Sequence, residues 1–310
     1  MQWCRRRWPE RHRTVTSSIP TPQRSFCTVF GMRFALVAHR LSETNIELVA
    51  RGWPGAESAL LDPQSALHRL NAGDVALNRL DVLSSLNGVE DGLWIVGQLE
   101  AHGVRVLNSA SALLSAHDKL LTARLLRSAG VPHPRTMRLT QTRDASALGY
   151  PVVAKPRFGS WGREVELCAD EESLRRYLAV SFGKPWGRAG AVVQELVEAA
   201  GHDLRVIVSG GRAVGCAERR PRPGEWRANV ALGATIEPTF AEPAACELAV
   251  TAARILGLDL AGVDLLPVAD GHIVVEVNGA VEFRPLYAQG SDVFGDAMAS
   301  LANARPLAVS

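Results

Sequence analysis

The sequence predicts an α/β protein made of lobes: a parallel-sheet domain followed by two lobes of α+β type. Three observations carry that expectation. Between residues 33 and 118 short apolar strands alternate with helical stretches, the pattern of a parallel sheet flanked by helices. Beyond residue 130 the strands come instead as hairpins, with Gly210-Gly211 and Asp270-Gly271 between apolar runs. A chain of 310 residues, 47% hydrophobic and 21% charged, is long enough for two or three lobes with cores of their own.

The elements follow in order. Residues 33–38 form an apolar strand, and Ser42 and Thr44 offer hydroxyls to cap a helix starting near Glu43. Residues 74–78 read as a short strand, 93–103 as a helix stopped by Gly103, and 104–108 as the next strand. Ser109 and Ser111 precede a helical stretch, and Asp118-Lys119 opens a helix that ends at Gly130 before the proline-punctuated VPHPRT. A boundary therefore falls near residue 118, giving a first domain at 32–118, a central lobe at 119–200 and a C-terminal lobe at 201–310. The central lobe holds a strand at 151–156, a glycine loop at 157–163, a returning strand at 164–169, a helix capped by Asp170 and a strand at 191–197. The last lobe holds a hairpin around Gly210-Gly211, a helix at 242–256 and an acidic hairpin at 262–278.

Composition excludes several classes. No apolar run approaches the roughly 20 residues of a membrane span. The five cysteines have no CxxC spacing, which argues against a zinc site or a disulfide framework and fits a reducing cytosol. Residues 1–31 carry six arginines against one glutamate, so the rest of the chain is net acidic despite the overall charge of +2, and no basic body for nucleic acid is indicated. This leader is loosely transit-peptide-like, but the expectation is a disordered extension, with Met32 as the true beginning.

The acidic hairpin GVDLLPVADGHIVVEVN is the most informative segment. Glu276 and Asn278 are two apart, so a strand puts both on one face. An Ala269-Asp270-Gly271 turn folded about Asp270 brings Asp264 opposite Glu276, and a bulge at Gly271 would shift that register by one. Facing carboxylates on an apolar hairpin repel, so a cation belongs between them. Two carboxylates and a carboxamide suit Mg2+, which takes oxygen ligands. The alternative is a solvated face with an accidental acidic pair.

Other residues leave two readings open. Lys155 is embedded in an apolar strand and needs an anion, either a bound phosphate or a neighbouring carboxylate. Gly159, Ser160 and Gly162 let backbone N–H groups approach a phosphate, or only make a hairpin; no Walker motif is present. Glu195 could pair with Lys155 or accept from a nucleobase amine, and Asp203 could accept from ribose, but each taken singly reads as a strand-end carboxylate in water. Arg219 and Arg220 suit planar anions or form a solvated basic loop. His39, His117, His133, His202 and His272 lack metal-ligand spacing and fit surface or cap roles.

Along the chain stand a lysine opening a helix, a lysine in a strand before a glycine loop, the Gln194-Glu195 strand, GHDLR at 201–205, Arg227 with Asn229, and Asp264 with Glu276 and Asn278. In this order they resemble the ATP-grasp ligases, specifically the RimK/LysX-type amino-acid ligases, over residues 33–302. KPRFGSWGR and EVNGAVEF are closer to the LysX-like branch, which attaches an amino acid to a carboxylate of a small acidic carrier protein. The RimK branch adds glutamate to a protein C-terminus, and relatives act on coenzyme carboxylates. Arg284-Pro285-Leu286 stands where a Lys-Asn pair is expected, which leaves the amino-acid substrate open.

The resemblance implies an ATP-grasp fold behind a pre-ATP-grasp parallel-sheet domain. It implies Lys119 and Lys155 at the ATP phosphates with Gly159, Ser160 and Gly162, Glu195 and the Leu196 backbone at adenine, and Asp203 at ribose. Arg227 and Asn229 would act on the transferring phosphoryl group, and Asp264, Glu276 and Asn278 would hold two Mg2+ or Mn2+ ions. Arg219, Glu282 and Arg284 are the candidates for substrate contacts. In the implied reaction a carboxylate attacks phosphorus to become an acyl phosphate, and an amine then displaces phosphate to make an amide, with the glycine loop and Trp161 as a lid against water. The expected setting is a cytoplasmic homo-oligomer of amino-acid metabolism with an acidic carrier as partner and neither nucleic acid nor membrane. A peptide-tailoring ligase and a non-catalytic nucleotide-binding module are the alternatives.

Overall fold

The computed structural model describes residues 31–304, and within them the backbone forms three sheets. The arginine-rich leader, residues 1–30 of it, lies outside the described residues.

The first sheet is parallel, as the alternation of strands and helices requires. It comprises β1 (Arg33–Val37), β2 (Glu57–Leu61), β3 (Val75–Asn78) and β4 (Arg105–Leu107) in the order β2-β1-β3-β4. β1 is apolar at consecutive positions because both of its faces are covered. Between the strands run α1 (Glu43–Arg51), capped by Ser42, α2 (Pro63–Arg69), with Asp62 as cap and proline at its first position, and α3 (Leu93–Ala101). β2 and α2 escape the pattern reading because ESALL and PQSALHR are short and only partly buried.

α4 (Ala110–His117) and α5 (Lys119–Ser128) lead into the central lobe. Asp118 joins them, accepting from the N–H groups of Leu120 and Leu121 as the cap of α5. The same carboxylate takes Arg157 in two hydrogen bonds, which fixes the start of α5 against the glycine loop. The central sheet is antiparallel: β5 (Thr136–Leu139), β6 (Val152–Pro156), β7 (Glu166–Cys168) and β8 (Ala191–Glu195) in the order β5-β8-β6-β7, with α6 (Glu171–Ser181) packed on it.

The third sheet is also antiparallel. It holds β9 (Asp203–Ser209), β10 (Arg212–Arg220), β11 (Thr235–Pro238), β12 (Leu260–Val268) and β13 (Gly271–Asn278), ordered β11-β10-β9-β12-β13. α7 (Pro243–Ile255) covers one face together with α4. α8 (Val293–Asn303) covers the other, where Phe283, Tyr287, Phe294 and Met298 share one cluster with Phe34, Leu36 and Leu77 of the parallel sheet. No helix among the described residues is long and apolar enough to cross a membrane.

The acidic hairpin reaches the expected pairing by a different route. Val268 pairs with Gly271, so the turn is the two residues Ala269-Asp270 rather than three. That turn alone would set Asp264 opposite Val275. A bulge at Val275, not at Gly271, restores Asp264 opposite Glu276. The bulge also lets two consecutive residues, Val275 and Glu276, line one cavity.

Candidate active site

Strand alternation on β9 puts Asp203 and Arg205 on one face. The register sets Asp203 opposite Arg219 of β10 and Arg205 opposite Asp264 of β12. Both pairs are bidentate: Arg219 donates to the two Asp203 oxygens at 2.6 Å each, and Arg205 to those of Asp264 at 2.7 and 2.8 Å. Arg219 Nη2 also lies 2.9 Å from Asp264, tying the pairs into one lattice. Burial would push the Asp264 carboxyl upward, but Arg205 and Arg219 together hold it below the ordinary carboxylate range. The solvated alternatives for Asp203 and Arg219 are thus corrected: Arg219 is 2% exposed, because a strand rather than a loop carries it.

A second cluster is cationic. Lys119, at the start of α5, donates to Glu276 at 2.6 Å and to the Gly159 carbonyl at 2.6 Å. Lys155 of β6 is 7% exposed and has neither an ion pair nor a hydrogen bond among the described residues. Burial, then Lys119, lowers its pKa to about 8, against the opposing pull of Glu276. Glu195 does not supply the missing partner: its carboxylate accepts from the backbone N–H and Nε of Arg135 at 2.8 and 2.5 Å. A buried ammonium beside another ammonium, without a carboxylate of its own, is a place for an anion.

The glycine loop is pinned from the C-terminal lobe. Gly162 has φ +69, and a Cβ there would stand 2.5 Å from Asn229 Oδ1, so glycine satisfies both the backbone and the close approach. Arg227 Nη1 donates to the carbonyls of Gly162 and Val165 at 2.9 and 3.1 Å. Glu225 holds the rest of that guanidinium, which pulls its own pKa down to about 2. In this structure Arg227 therefore fixes the loop.

Two cavities meet at these residues. The larger, of about 510 Å³, runs between the central and C-terminal sheets. Its lining includes Lys119, Lys155, Gly159 and Gly162 from α5, β6 and the glycine loop, Glu195, Leu196 and Asp203 from the ends of β8 and β9, and Arg227 and Asp264 from the C-terminal lobe. The smaller, of about 410 Å³, opens toward the parallel sheet and is lined by Asn278, Glu282 and Arg284, with Glu43 and Asp81 opposite in sequence and sheet. Ser160, Arg219, Asn229 and Glu276 line both.

The residues fit a nucleotide and a hard cation. Lys119 and Lys155 give the larger cavity a cationic end suited to phosphates. Asp264, Glu276 and Asn278 bring oxygen atoms to the junction, those of Asp264 shared with Arg205 and Arg219 and one of Glu276 with Lys119. The buried Asn278 Nδ2 has no partner among the described residues and, as a donor, suits a phosphate oxygen rather than the cation. Among the described residues no three His, Cys, Asp or Glu side chains gather as a metal site. A cation here would therefore complete its shell with phosphate oxygens and water, as Mg2+ does.

Several participants lie outside the sequence expectations. Arg205 holds Asp264, and its place two residues from Asp203 was the available signal. Arg135, which holds Glu195, and Asp81, which lines the smaller cavity, gave none. His117 and His133 correct the expected surface roles: His117 is buried against the Leu80 carbonyl at 3.0 Å, and His133 lies 2.7 Å from the Val274 carbonyl, with burial lowering its pKa to about 4.

Residues 116–298 match the RimK-like ATP-grasp domain. The chain is 34% identical over 223 residues to a probable alpha-L-glutamate ligase of Thioalkalivibrio sulfidiphilus, covering 69% of this chain and 73% of that one. It is 32% identical over 200 residues to the glutamate–LysW ligase ArgX of Sulfurisphaera tokodaii, covering 62% and 70%. Its structure is similar to that of a RimK-domain ATP-grasp protein from Sphaerobacter thermophilus, with TM-score 0.65, 25% identity and coverage of 86% and 98%. It shares a fold with the D-alanine–D-alanine ligase of Bacillus anthracis complexed with ATP, with TM-score 0.63, 17% identity and coverage of 87% and 96%.

Proposed function

The chain belongs to the RimK-like ATP-grasp family and is an amino-acid ligase, and from that premise we propose that it attaches glutamate, or a 2-aminoadipate-like acid, to a carboxylate of a small carrier protein or peptide through an acyl phosphate. Ligases of this family use ATP and a divalent metal. The observation that carries the reading is the meeting of two cavities at Ser160, Arg219, Asn229 and Glu276. One cavity has a cationic end for phosphates, and the other has charged groups of both signs for a zwitterion and an acidic acceptor: Glu43 and Arg284, without a side-chain partner among the described residues, and Glu282, paired with Arg79.

In this reading Lys119 and Lys155 hold the phosphates in the larger cavity, and Glu195, Leu196 and Asp203 border the nucleoside. Asn229 and Arg219 face the point where the phosphoryl group passes to the acceptor carboxylate. Arg227 keeps the glycine loop over that point. Asp264, Glu276 and Asn278 would hold Mg2+ or Mn2+, which offsets charge on the phosphoryl oxygens. Glu282 and Arg284 border the amino acid. The functional division is then 32–118 for acceptor binding, 119–200 for nucleotide and 201–310 for metal and chemistry, in a cytoplasmic oligomer. Similarity to the glutamate–LysW ligase of Sulfurisphaera supports a carrier-protein acceptor, and similarity to the probable alpha-L-glutamate ligase of Thioalkalivibrio supports glutamate as the amino acid.

The test is ADP release by the purified full chain with Mg2+, ATP and a panel of amino acids, with and without an acidic carrier ending in glutamate. Release that needs both an amino acid and the carrier supports the reading. Release with glutamate and a different carboxylate moves the acceptor to a protein C-terminus or peptide. Glu276→Gln is expected to abolish turnover with an unchanged circular dichroism spectrum; full activity in that variant would refute the metal assignment.

A further inference from the structure

Trp161 stands in the glycine loop at φ +61, an unfavourable backbone for a bulky side chain, and the residue is 45% exposed. Two guanidinium groups accompany that ring. Arg163, which lines the larger cavity, has its Cζ 5.6 Å from the ring centroid. Arg40 comes from the parallel-sheet domain, in the segment after β1, and its Cζ lies 5.0 Å from the same centroid. Both distances are those of cation–π contact.

Arg40 is itself anchored. It pairs with Asp81 and lies 3.5 Å from Glu90. Those carboxylates are fixed in turn, because Asp81 accepts from the Val82 N–H at 2.6 Å and Glu90 from the Asp81 N–H at 2.9 Å. Asp81 and Trp161 both line the smaller cavity. A chain of contacts, Asp81 to Arg40 to Trp161 to Arg163, thus crosses from one cavity to the other. Arg227 holds the Gly162 and Val165 carbonyls from the C-terminal lobe, and Arg40 meets the neighbouring Trp161 from the parallel-sheet domain.

We propose that Arg40 is a positioning residue: it latches the tip of the glycine loop to the parallel-sheet domain and so keeps water from the junction of the two cavities until the amine arrives. The chemical consequence rests on the ligase reading, whereas the latch itself does not. When the latch is open, water replaces the amine. Its oxygen bonds to the acyl carbon, the bond from that carbon to the phosphate oxygen breaks, and phosphate leaves with the free carboxylic acid restored. ATP is then consumed without an amide.

Two measurements on the full chain test this. The first is hydrogen exchange of the 157–165 backbone with Mg2+ and a non-hydrolysable ATP analogue. Arg40→Ala is expected to speed exchange there about two- to thirtyfold, the range that one cation–π contact supports. Trp161→Ala should match or exceed it, since it also removes the Arg163 contact, the double variant should add nothing beyond Trp161→Ala, and Arg40→Lys and Trp161→Phe should fall between wild type and the alanine variants. Unchanged exchange in Arg40→Ala or, if that variant does not fold, in Arg40→Lys overturns the latch. The second measurement is ADP released per amide formed. Wild type should give one, and Arg40→Ala more than one with KM for ATP unchanged. A ratio that stays at one in a variant with a loosened loop overturns the water-excluding role. A wild type that makes no amide with any substrate pair, yet shows the exchange difference, sinks the ligase reading and leaves the latch standing.

Discussion

Lys155 shows how a single side chain can be both a structural cost and a functional asset. It is buried without a partner among the described residues, and its pKa is lowered to about 8 by burial and Lys119. Only the ammonium form attracts phosphate. Nucleotide affinity in the free enzyme should therefore hold below pH 8 and weaken as pH rises through it, which titration calorimetry across that range would register. The sign for stability is opposite. A lysine whose folded pKa lies below its unfolded value, about 10.4, destabilises the fold at neutral pH, and that cost fades as pH rises from 8 toward 10.4. Lys155→Met should raise stability by about 1–3 kcal/mol in chemical denaturation while losing ATP affinity. At this scale the residues legible in the sequence were charges set in apolar runs: Lys155, Asp264 and Glu276. Asp81 and Arg40 were not legible, and Arg205 only through its spacing from Asp203, because their partners are chosen by register and by approach between segments distant in sequence.

Hairpins are where the element-level pattern was clearest and where its details were least secure. The Gly210-Gly211 turn was marked by its composition, and both residues have positive φ, +53 and +77. The reason for glycine at 210 goes beyond the turn, since a Cβ there would lie 2.3 Å from the Ser300 carbonyl oxygen of α8. Two serine hydroxyls also donate across the same contact, Ser300 Oγ to Ser209 O and Ser209 Oγ to Ala297 O, each at 2.7 Å. Gly210→Ala should cost about 2–3 kcal/mol, combining backbone strain with the displacement of α8, and lower Tm by about 4–12 °C in a thermal melt. The bulge at Val275 was not legible, because VVEV alternates equally well with or without it. β5 and β11 were missed for a related reason: TMRL and TIEP are four-residue edge strands that bury little. α8 was missed although Val293, Phe294, Ala297, Met298 and Leu301 make one buried stripe at helical spacing, because Gly295 interrupts it and alanines stand on both sides.

Across the whole molecule the three sheets were foreseeable, but the way their cores merge was not. Phe294 and Phe283 stack at 4.9 Å and belong to the same buried cluster as Phe34, Leu36, Leu77 and Ile207. Phe294→Ala should therefore cost about 3–5 kcal/mol. Because the cavity left behind opens onto two sheets, the loss should shift one cooperative urea transition rather than split it. Thr44 reinforces the same seam, donating to the Phe283 carbonyl and accepting its N–H at 3.0 Å each. The parallel sheet thus has its lower face finished by residues some two hundred positions downstream. It is not an interchangeable cassette: a first domain borrowed from a related ligase would arrive with that face unlined, so lineages exchanging it must alter loops, or move the first domain and the C-terminal helix together.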